Sequence, residues 1–301
     1  MIPSPRIYAL LIVFLSIMLH GCAGVSVSML GTEKYIEQRR GDVLTNGELS
    51  SNTRMDLLAL GLDARQCSKD GAPCRSAMSK ADVLSNERRL SALAELWLQE
   101  AMRQEKKSDA KENALPAYLE TARHAYAYLF LSERNMTERA LEDRPTQVRD
   151  YYNFAVQQAV MLLFESRHGK TAISSSLSAF GWTLDVSQEE APLSRSQEMP
   201  EDIVPASKLT FKGIRSLHRR DGLGAEMVAV MPAPSGKNAA WSEMRYPSLT
   251  AILDFPAPTM RDVLSNRNAV IRIYDPFKTQ SIPLRGHNVP LAGNYTAGYG
   301  L

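Results

Sequence analysis

The sequence lacks the motifs that would assign it to a common class of enzyme. It contains no G-x-S-x-G nucleophile elbow, no phosphate loop, no dinucleotide fingerprint, no His-Glu-x-x-His motif and no calcium loop. A serine nucleophile needs a strained turn and a base within reach, and the three consecutive serines at 174–176 have no flanking glycines and no strand before them. We therefore predict no catalytic residue, no metal ligand and no cofactor in this chain.

The sequence also has little net charge. Its 35 basic and 33 acidic residues give a formal charge of +2 over 301 residues. The basic pairs Arg39-Arg40, Arg88-Arg89 and Arg219-Arg220 are scattered along the chain and do not form a stripe. This balance argues against a nucleic-acid partner, and it predicts that the basic pairs are solvated surface.

A membrane-spanning segment is missing as well, because the apolar run near the start is short. Residues 7–19 would make a helix of about 20 Å, whereas the hydrocarbon core of a bilayer is roughly 30 Å thick. Arg6 precedes this run and Leu19-His20-Gly21-Cys22 follows it. The pattern is typical of an export signal with a positively charged start and an apolar centre.

The four residues after the apolar run resemble the lipobox of bacterial lipoproteins, in which a peptidase cuts before the cysteine and the new N-terminus is acylated. The resemblance implies a signal peptide at 1–21, lipid attachment at Cys22 and a tether at 22–31. His20 stands where a small or apolar residue is usual, so a simple cleaved signal remains an alternative. Ala23, where an aspartate would favour the inner membrane, implies an outer-membrane lipoprotein that faces the periplasm or the cell surface.

Cysteine is scarce: the chain has three, of which one lies in the lipobox-like sequence and two lie close together further on. With Cys22 assigned to lipid, Cys67 and Cys74 form an even pair in a compartment that permits disulfides. Turn-forming residues separate the two, and closing this loop would stabilise the fold by about 2.5 kcal/mol. We predict a disulfide; the alternative is a metal site, which the absence of a nearby histidine disfavours.

The strongest secondary-structure signal is a set of three long amphipathic helices within a predicted helical domain at 32–169. Helices are predicted at 86–107, 114–132 and 146–167, because apolar residues recur there at steps of three and four. His124, near the seam of the second helix, is interpreted as a packing residue. The three helices predict an antiparallel bundle. A tetratricopeptide-like array is the alternative, although no repeat of about 34 residues is found.

The pattern changes in the second half of the chain. Residues 170–206 are predicted to be a linker or loop containing one strand at 180–186. The alternating pattern from 207 to 294 predicts an antiparallel β-sandwich-like module, with strands at 208–217, 226–231, 246–255, 269–274 and 280–284 and a hairpin turn at 219–224. Residues 295–301 are predicted to be a truncated or disordered tail. The expected fold class is thus α+β, a helical bundle followed by a β module.

Three local runs resemble a known group of proteins. They are EKYIEQRRGDVLT at 33–45, ERRLSALAELW at 87–97 and VPLAGNYTA at 289–297. They look like the N-terminal region of proteobacterial lipoproteins in which this region precedes an α/β-hydrolase domain of the lipase or esterase type. In that family the catalytic serine, acid and histidine would lie beyond Leu301.

The resemblance implies a membrane-anchored, non-catalytic accessory region whose partner is a hydrolase domain or a separate hydrolase. The alternative hypothesis is a free-standing lipoprotein of the cell envelope that binds a ligand or acts as a scaffold. Both hypotheses place the chain at a membrane through its N-terminal lipid.

Overall fold

The computed structural model describes residues 41–107, 111–134, 138–139, 141–166, 177–189, 200–210, 216–232 and 246–297. All of them belong to a unit that spans Arg40–Leu301. The predicted signal peptide, the tether and Cys22 lie outside the described residues. Within the described ranges, no helix is both long enough and apolar enough to cross a membrane.

The three long helices predicted from the sequence are confirmed within three residues at each end. The helices in the first half of the chain are α1 (Ser51–Ala59), α2 (Ala64–Lys69), α3 (Gly71–Ser79), α4 (Asn86–Lys107), α5 (Leu115–Leu131) and α6 (Asp143–Ser166), with a 3₁₀ turn at Lys111–Ala114. The side chain of Ser85 accepts a hydrogen bond from the Arg88 amide and caps α4. Pro116 lies in the first turn of α5, where its missing N–H has no cost.

Helices α4 and α5 are antiparallel. At one end, the Asn86 amide donates to the Glu133 carboxylate at 2.9 Å, and at the other end the Tyr118 hydroxyl donates to Glu105 at 2.5 Å. Helix α6 packs against α5 and also against the sheet, where the Tyr152 hydroxyl bonds both the carbonyl and the amide of Leu253. Helices and strands therefore bury their apolar faces in one continuous core.

The β part is one mixed six-stranded sheet with two short additional pairs. Its strand order is β1-β2-β7-β6-β5-β3, where β2 and β7 are parallel and the other neighbours are antiparallel. The strands are β1 (Leu177–Ala179), β2 (Trp182–Glu189), β3 (Asp202–Pro205), β4 (Arg219–Arg220), β5 (Ala225–Val230), β6 (Ser248–Asp254), β7 (Asn268–Tyr274), β8 (Ser281–Leu284), β9 (His287–Pro290) and β10 (Gly293–Asn294). Strand β4 pairs with β10, and β8 pairs with β9. Helix α7 (Met260–Ser265) precedes β7.

The mixture of helix and sheet confirms the α+β class, but the arrangement of a bundle followed by an antiparallel sandwich is not confirmed. A sandwich covers its sheet with a second sheet, whereas here α6 packs against β3, β5 and β6. The parallel pairing of β2 with β7 joins segments about 85 residues apart. The alternation of apolar and polar residues within a strand does not show which other strand it pairs with.

The segment interpreted as a linker, 170–206, contributes strands to the sheet. Its predicted strand at 180–186 is present as β2, preceded by a hairpin turn at Phe180 and Gly181, both of which have positive φ. The turn predicted at 219–224 is also corrected, because Arg219 and Arg220 form β4. Gly222 is required next to it, since an added Cβ would lie 2.4 Å from the Leu291 backbone.

The predicted disordered tail is wrong for its first three residues. The amide of Tyr295 donates to the His218 carbonyl at 2.9 Å, and the Arg220 guanidinium donates to the Tyr295 hydroxyl. Thr296 accepts a hydrogen bond from the His218 amide, and Ala297 is buried. These contacts fasten the segment to the sheet region, while residues 298–301 lie outside the described part of the chain.

The predicted disulfide is present between Cys67 and Cys74. The residues between them are not a plain turn, because α2 ends and α3 begins there. Asp70 is both the last cap of α2 and the first cap of α3, and its side chain accepts a hydrogen bond from the Ala72 amide. The disulfide thus joins two short helices that meet at one residue.

Candidate functional site

A pocket of about 570 Å³ lies where α3, α4, α5 and α7 come together. This volume is within the range of roughly 300–1,000 Å³ that is usual for small-molecule sites. We call it the arginine pocket. It is lined by Ala72, Arg75, Ser76, Ser79, Asn86, Arg89, Leu90, Leu93, Trp97, Glu120, Arg123, His124, Met260, Leu264 and Arg267.

Helix α4 provides one long wall of the arginine pocket. Its lining residues are Asn86, Arg89, Leu90, Leu93 and Trp97, at steps that keep them on one helical face. Eleven residues separate the first from the last, so the wall extends about 16 Å along the helix axis. Leu90 and Leu93 make the middle of this wall apolar, and Met260 and Leu264 of α7 add further apolar surface.

The charged side chains of the pocket are unevenly balanced. Four arginines line it, but Glu120 is the one carboxylate among its lining residues. Glu120 is 5% exposed and is shared by two of these arginines. Arg123 donates to its Oε2, and the Nε of Arg267 lies 4.0 Å from its Oε1. Burial raises the pKa of the Glu120 carboxyl, while both arginines favour its ionised form.

Arg123 is the most deeply placed of these cations. Its side chain reaches from α5 to the end of α7, where it donates to the Asn266 carbonyl at 3.1 Å, and its guanidinium lies 5.3 Å from the centre of the Trp182 ring. The residue is only 8% exposed. Its Nε is buried and has no hydrogen-bond partner among the described residues. Arg123 therefore keeps one unused donor in the wall of the pocket.

The other two arginines near this end of the pocket are Arg75 and Arg267. Arg75, on α3, lies over the Trp97 ring at 4.2 Å and forms an ion pair with Glu100 at 3.2 Å. The side chain of Arg267 is 57% exposed, and it donates no hydrogen bond to another residue of the part of the chain that the structure describes. Arg267 is thus the pocket cation that is most available to a ligand from solution.

His124 is buried beside these charges and is held in its neutral form. Its Nδ1 lies 2.8 Å from the Glu120 carbonyl, which places the proton on Nδ1, because a carbonyl can only accept. Burial, and then the neighbouring Arg123 cation, lowers the pKa of His124 to about 3. A histidine with this pKa is neutral at neutral pH, so it adds no positive charge to the pocket.

The residues predicted as sites lie elsewhere. Cys22 is outside the described residues, and the disulfide of Cys67 and Cys74 does not line the pocket, although Cys74 precedes Arg75 on α3. Among the residues that are described, no cluster of His, Cys, Asp and Glu is suited to a metal ion. Glu120 and Arg123 are not among the site residues predicted from the sequence. They are the two acidic or basic residues of the otherwise apolar α5, and such residues are rarely buried unless they have partners.

Comparisons with protein-family models, with curated proteins and with solved structures gave no match to this chain.

Proposed function

We propose that this protein is a lipid-anchored lipoprotein of the cell envelope that binds a small anionic ligand in the arginine pocket. The observation that carries the binding proposal is that two of the lining arginines, Arg123 and Arg267, share the one lining carboxylate, Glu120. The anchor at Cys22, and the placement in the outer membrane facing the periplasm or the cell surface, are supported by the lipobox-like sequence and by Ala23.

The electrostatics of the pocket favour an anion. Glu120 offsets one positive charge, but Arg123 and Arg267 both face it, so this group alone has an excess of one positive charge. The charge of Arg75 is shared between Glu100 and the Trp97 ring. Guanidinium groups in a partly buried site bind carboxylate and phosphate oxygens with charge-assisted hydrogen bonds. An anion near Arg267 would therefore be stabilised by the positive charge of the guanidinium and would accept hydrogen bonds from it.

The same site supports a binding function in preference to a catalytic one. The one histidine of the pocket is neutral and donates its Nδ1 proton to a backbone carbonyl. Ser79, on α3, donates to the Ser76 carbonyl. The hypothesis of an accessory region for a hydrolase rests on the three local sequence runs alone, and the pocket adds no support to it.

The test is a titration of the purified full chain, in a nonionic detergent, with benzenesulfonate and with neutral benzenesulfonamide. Isothermal titration calorimetry should give one site that prefers the anion. Arg267→Gln should weaken the binding of the anion about tenfold, since it removes a charge-assisted contact of about 1.4 kcal/mol. Arg261→Gln is the matched control, because Arg261 is an exposed arginine on the adjacent helix α7 that does not line the pocket.

Equal binding of the two compounds, or equal losses in the Arg267 and Arg261 variants, would contradict an anion site in this pocket. Arg267 is the better position to change than Arg123, because its exposed side chain can be replaced without opening a buried contact.

A further inference from the structure

We infer that the ligand of the arginine pocket is a single-headed anionic amphiphile, a carboxylate on an unbranched alkyl chain. Its head would lie beside Glu120, Arg123 and Arg267, and its chain would extend along Leu93 and Leu90 of α4. The inference rests on the proposed function, and it adds the chemical class of the ligand and its direction in the pocket.

The cations are concentrated at one level of the pocket. Because α4 and α5 are antiparallel, with Tyr118 beside Glu105 and Glu133 beside Asn86, Arg123 lies level with the turn of α4 that carries Trp97. Arg75 stacks on the ring of Trp97 and is therefore at this level too. Arg267 belongs to the same cluster because its Nε lies 4.0 Å from the carboxylate of Glu120. A single negative head is complementary to this cluster.

The next part of the pocket is apolar. Leu93 and Leu90 precede Trp97 by four and seven residues, so they lie about 6 Å and 10 Å further along the α4 axis. Met260 and Leu264 of α7 provide apolar side chains to the same cavity. Leu90 and Leu93 are only 3% and 5% exposed, so the apolar surface open to a ligand belongs mainly to Trp97, Met260 and Leu264. A compact anion such as phosphate would leave that surface wet, whereas an alkyl chain would cover it.

The far end of the α4 wall carries Arg89, and its charge is already engaged. Arg89 donates to the Asn86 side chain and lies 4.0 Å from the carboxylate of Asp82. This end therefore has one cation with a carboxylate of its own. At the other end Arg75 pairs with Glu100, while Arg123 and Arg267 share the single carboxylate of Glu120. The difference favours one head at the Arg123 end over a molecule with an acid at each end.

The experiment is a calorimetric titration of the full chain with acetate, butyrate, hexanoate and octanoate, with octanamide and octanedioate as comparison ligands. Each added methylene should tighten binding about fourfold while the chain still gains apolar contacts. Arg267→Gln should weaken all four carboxylates by a similar factor of about ten and leave the dependence on chain length unchanged. Met260→Gln should reduce the dependence on chain length, and Arg89→Gln should weaken octanoate less than Arg267→Gln does. Arg261→Gln, outside the pocket, should leave the octanoate affinity within about twofold.

The outcomes separate the two proposals. If acetate and octanoate bind equally and Arg267→Gln still weakens both, the anion site stands and the amphiphile is refuted. If Arg89→Gln weakens octanoate more than Arg267→Gln does, or octanedioate binds more tightly than octanoate, the single head and its direction are refuted. If no carboxylate depends on Arg267, the proposed function itself fails.

Discussion

Replacing His124 with glutamine should remove a specific part of the acid sensitivity of this protein. The ring is buried beside Arg123, which donates to Glu120 of the same helix, and the pKa of His124 is lowered from 6.5 to about 3. Below pH 6.5 the unfolded chain binds a proton at this residue that the folded chain does not bind. Stability from this group is therefore complete above pH 6.5 and is lost as the pH falls towards 3.

The magnitude follows from the same shift. Each pH unit within this window costs about 1.4 kcal/mol, so between pH 7 and pH 5 the wild type should lose about 2 kcal/mol through His124. The carboxyl of Glu120 has a raised pKa and acts in the opposite direction at lower pH, but it is present in both proteins and cancels from their difference.

Urea unfolding of the wild type and of His124→Gln at the two pH values measures this difference. We expect the free energy of unfolding of the wild type to fall by about 2 kcal/mol more than that of the variant. His124→Asn should behave like His124→Gln. Equal losses in wild type and variants would mean that the folded protein protonates this ring readily, and the description of the buried end of the pocket would then be wrong.

Two further predictions concern the ends of the chain. Cys22→Ser should abolish metabolic labelling with palmitate, because the lipobox-like sequence provides the acylated thiol, and labelling that persists in the variant would refute the lipoprotein. Truncation after Asn294 should lower the melting temperature by several degrees, because it removes the contacts of Tyr295 with His218 and Arg220; an unchanged melting temperature would show that these contacts contribute nothing.

Helix positions could be predicted from the sequence because the information is local. The bounds of α4 follow from apolar steps of three and four, from the cap at Ser85 and from the absence of apolar residues between Met102 and the end of the helix at Lys107. The disulfide could be predicted as well, since only two cysteines remain after Cys22 is assigned to lipid. In both cases, residues close together in sequence carry the signal.

The sheet could not be predicted in the same way. The pairing of β2 with β7 depends on side chains far apart in sequence, and the serine- and proline-rich surroundings of β2 suggested a linker. The disorder predicted for residues 295–297 is wrong for a related reason. Tyr295 is an aromatic residue near the end of the chain, and the hydrogen bond that its hydroxyl accepts from Arg220 is visible only when β4 and β10 are paired. Non-local pairing decides both outcomes.

The pocket could be predicted from the sequence only in part. Glu120 and Arg123 are three residues apart on one apolar helix, which indicates a buried ion pair. The contribution of Arg267 is not visible in the sequence, because Arg267 follows α7 and approaches Glu120 only in the folded chain. Sequence can therefore locate the centre of the site, while its excess of positive charge is a property of the fold.

The most direct measurement of the central claim is a crystal structure of the protein with octanoate that carries bromine on its terminal carbon. Anomalous scattering locates the bromine independently of the protein. We expect the carboxylate to lie within hydrogen-bonding distance of Arg267 and the bromine to lie beside Leu90. A bromine peak next to Arg123 and Arg267, or a ligand bound only outside the arginine pocket, would contradict it.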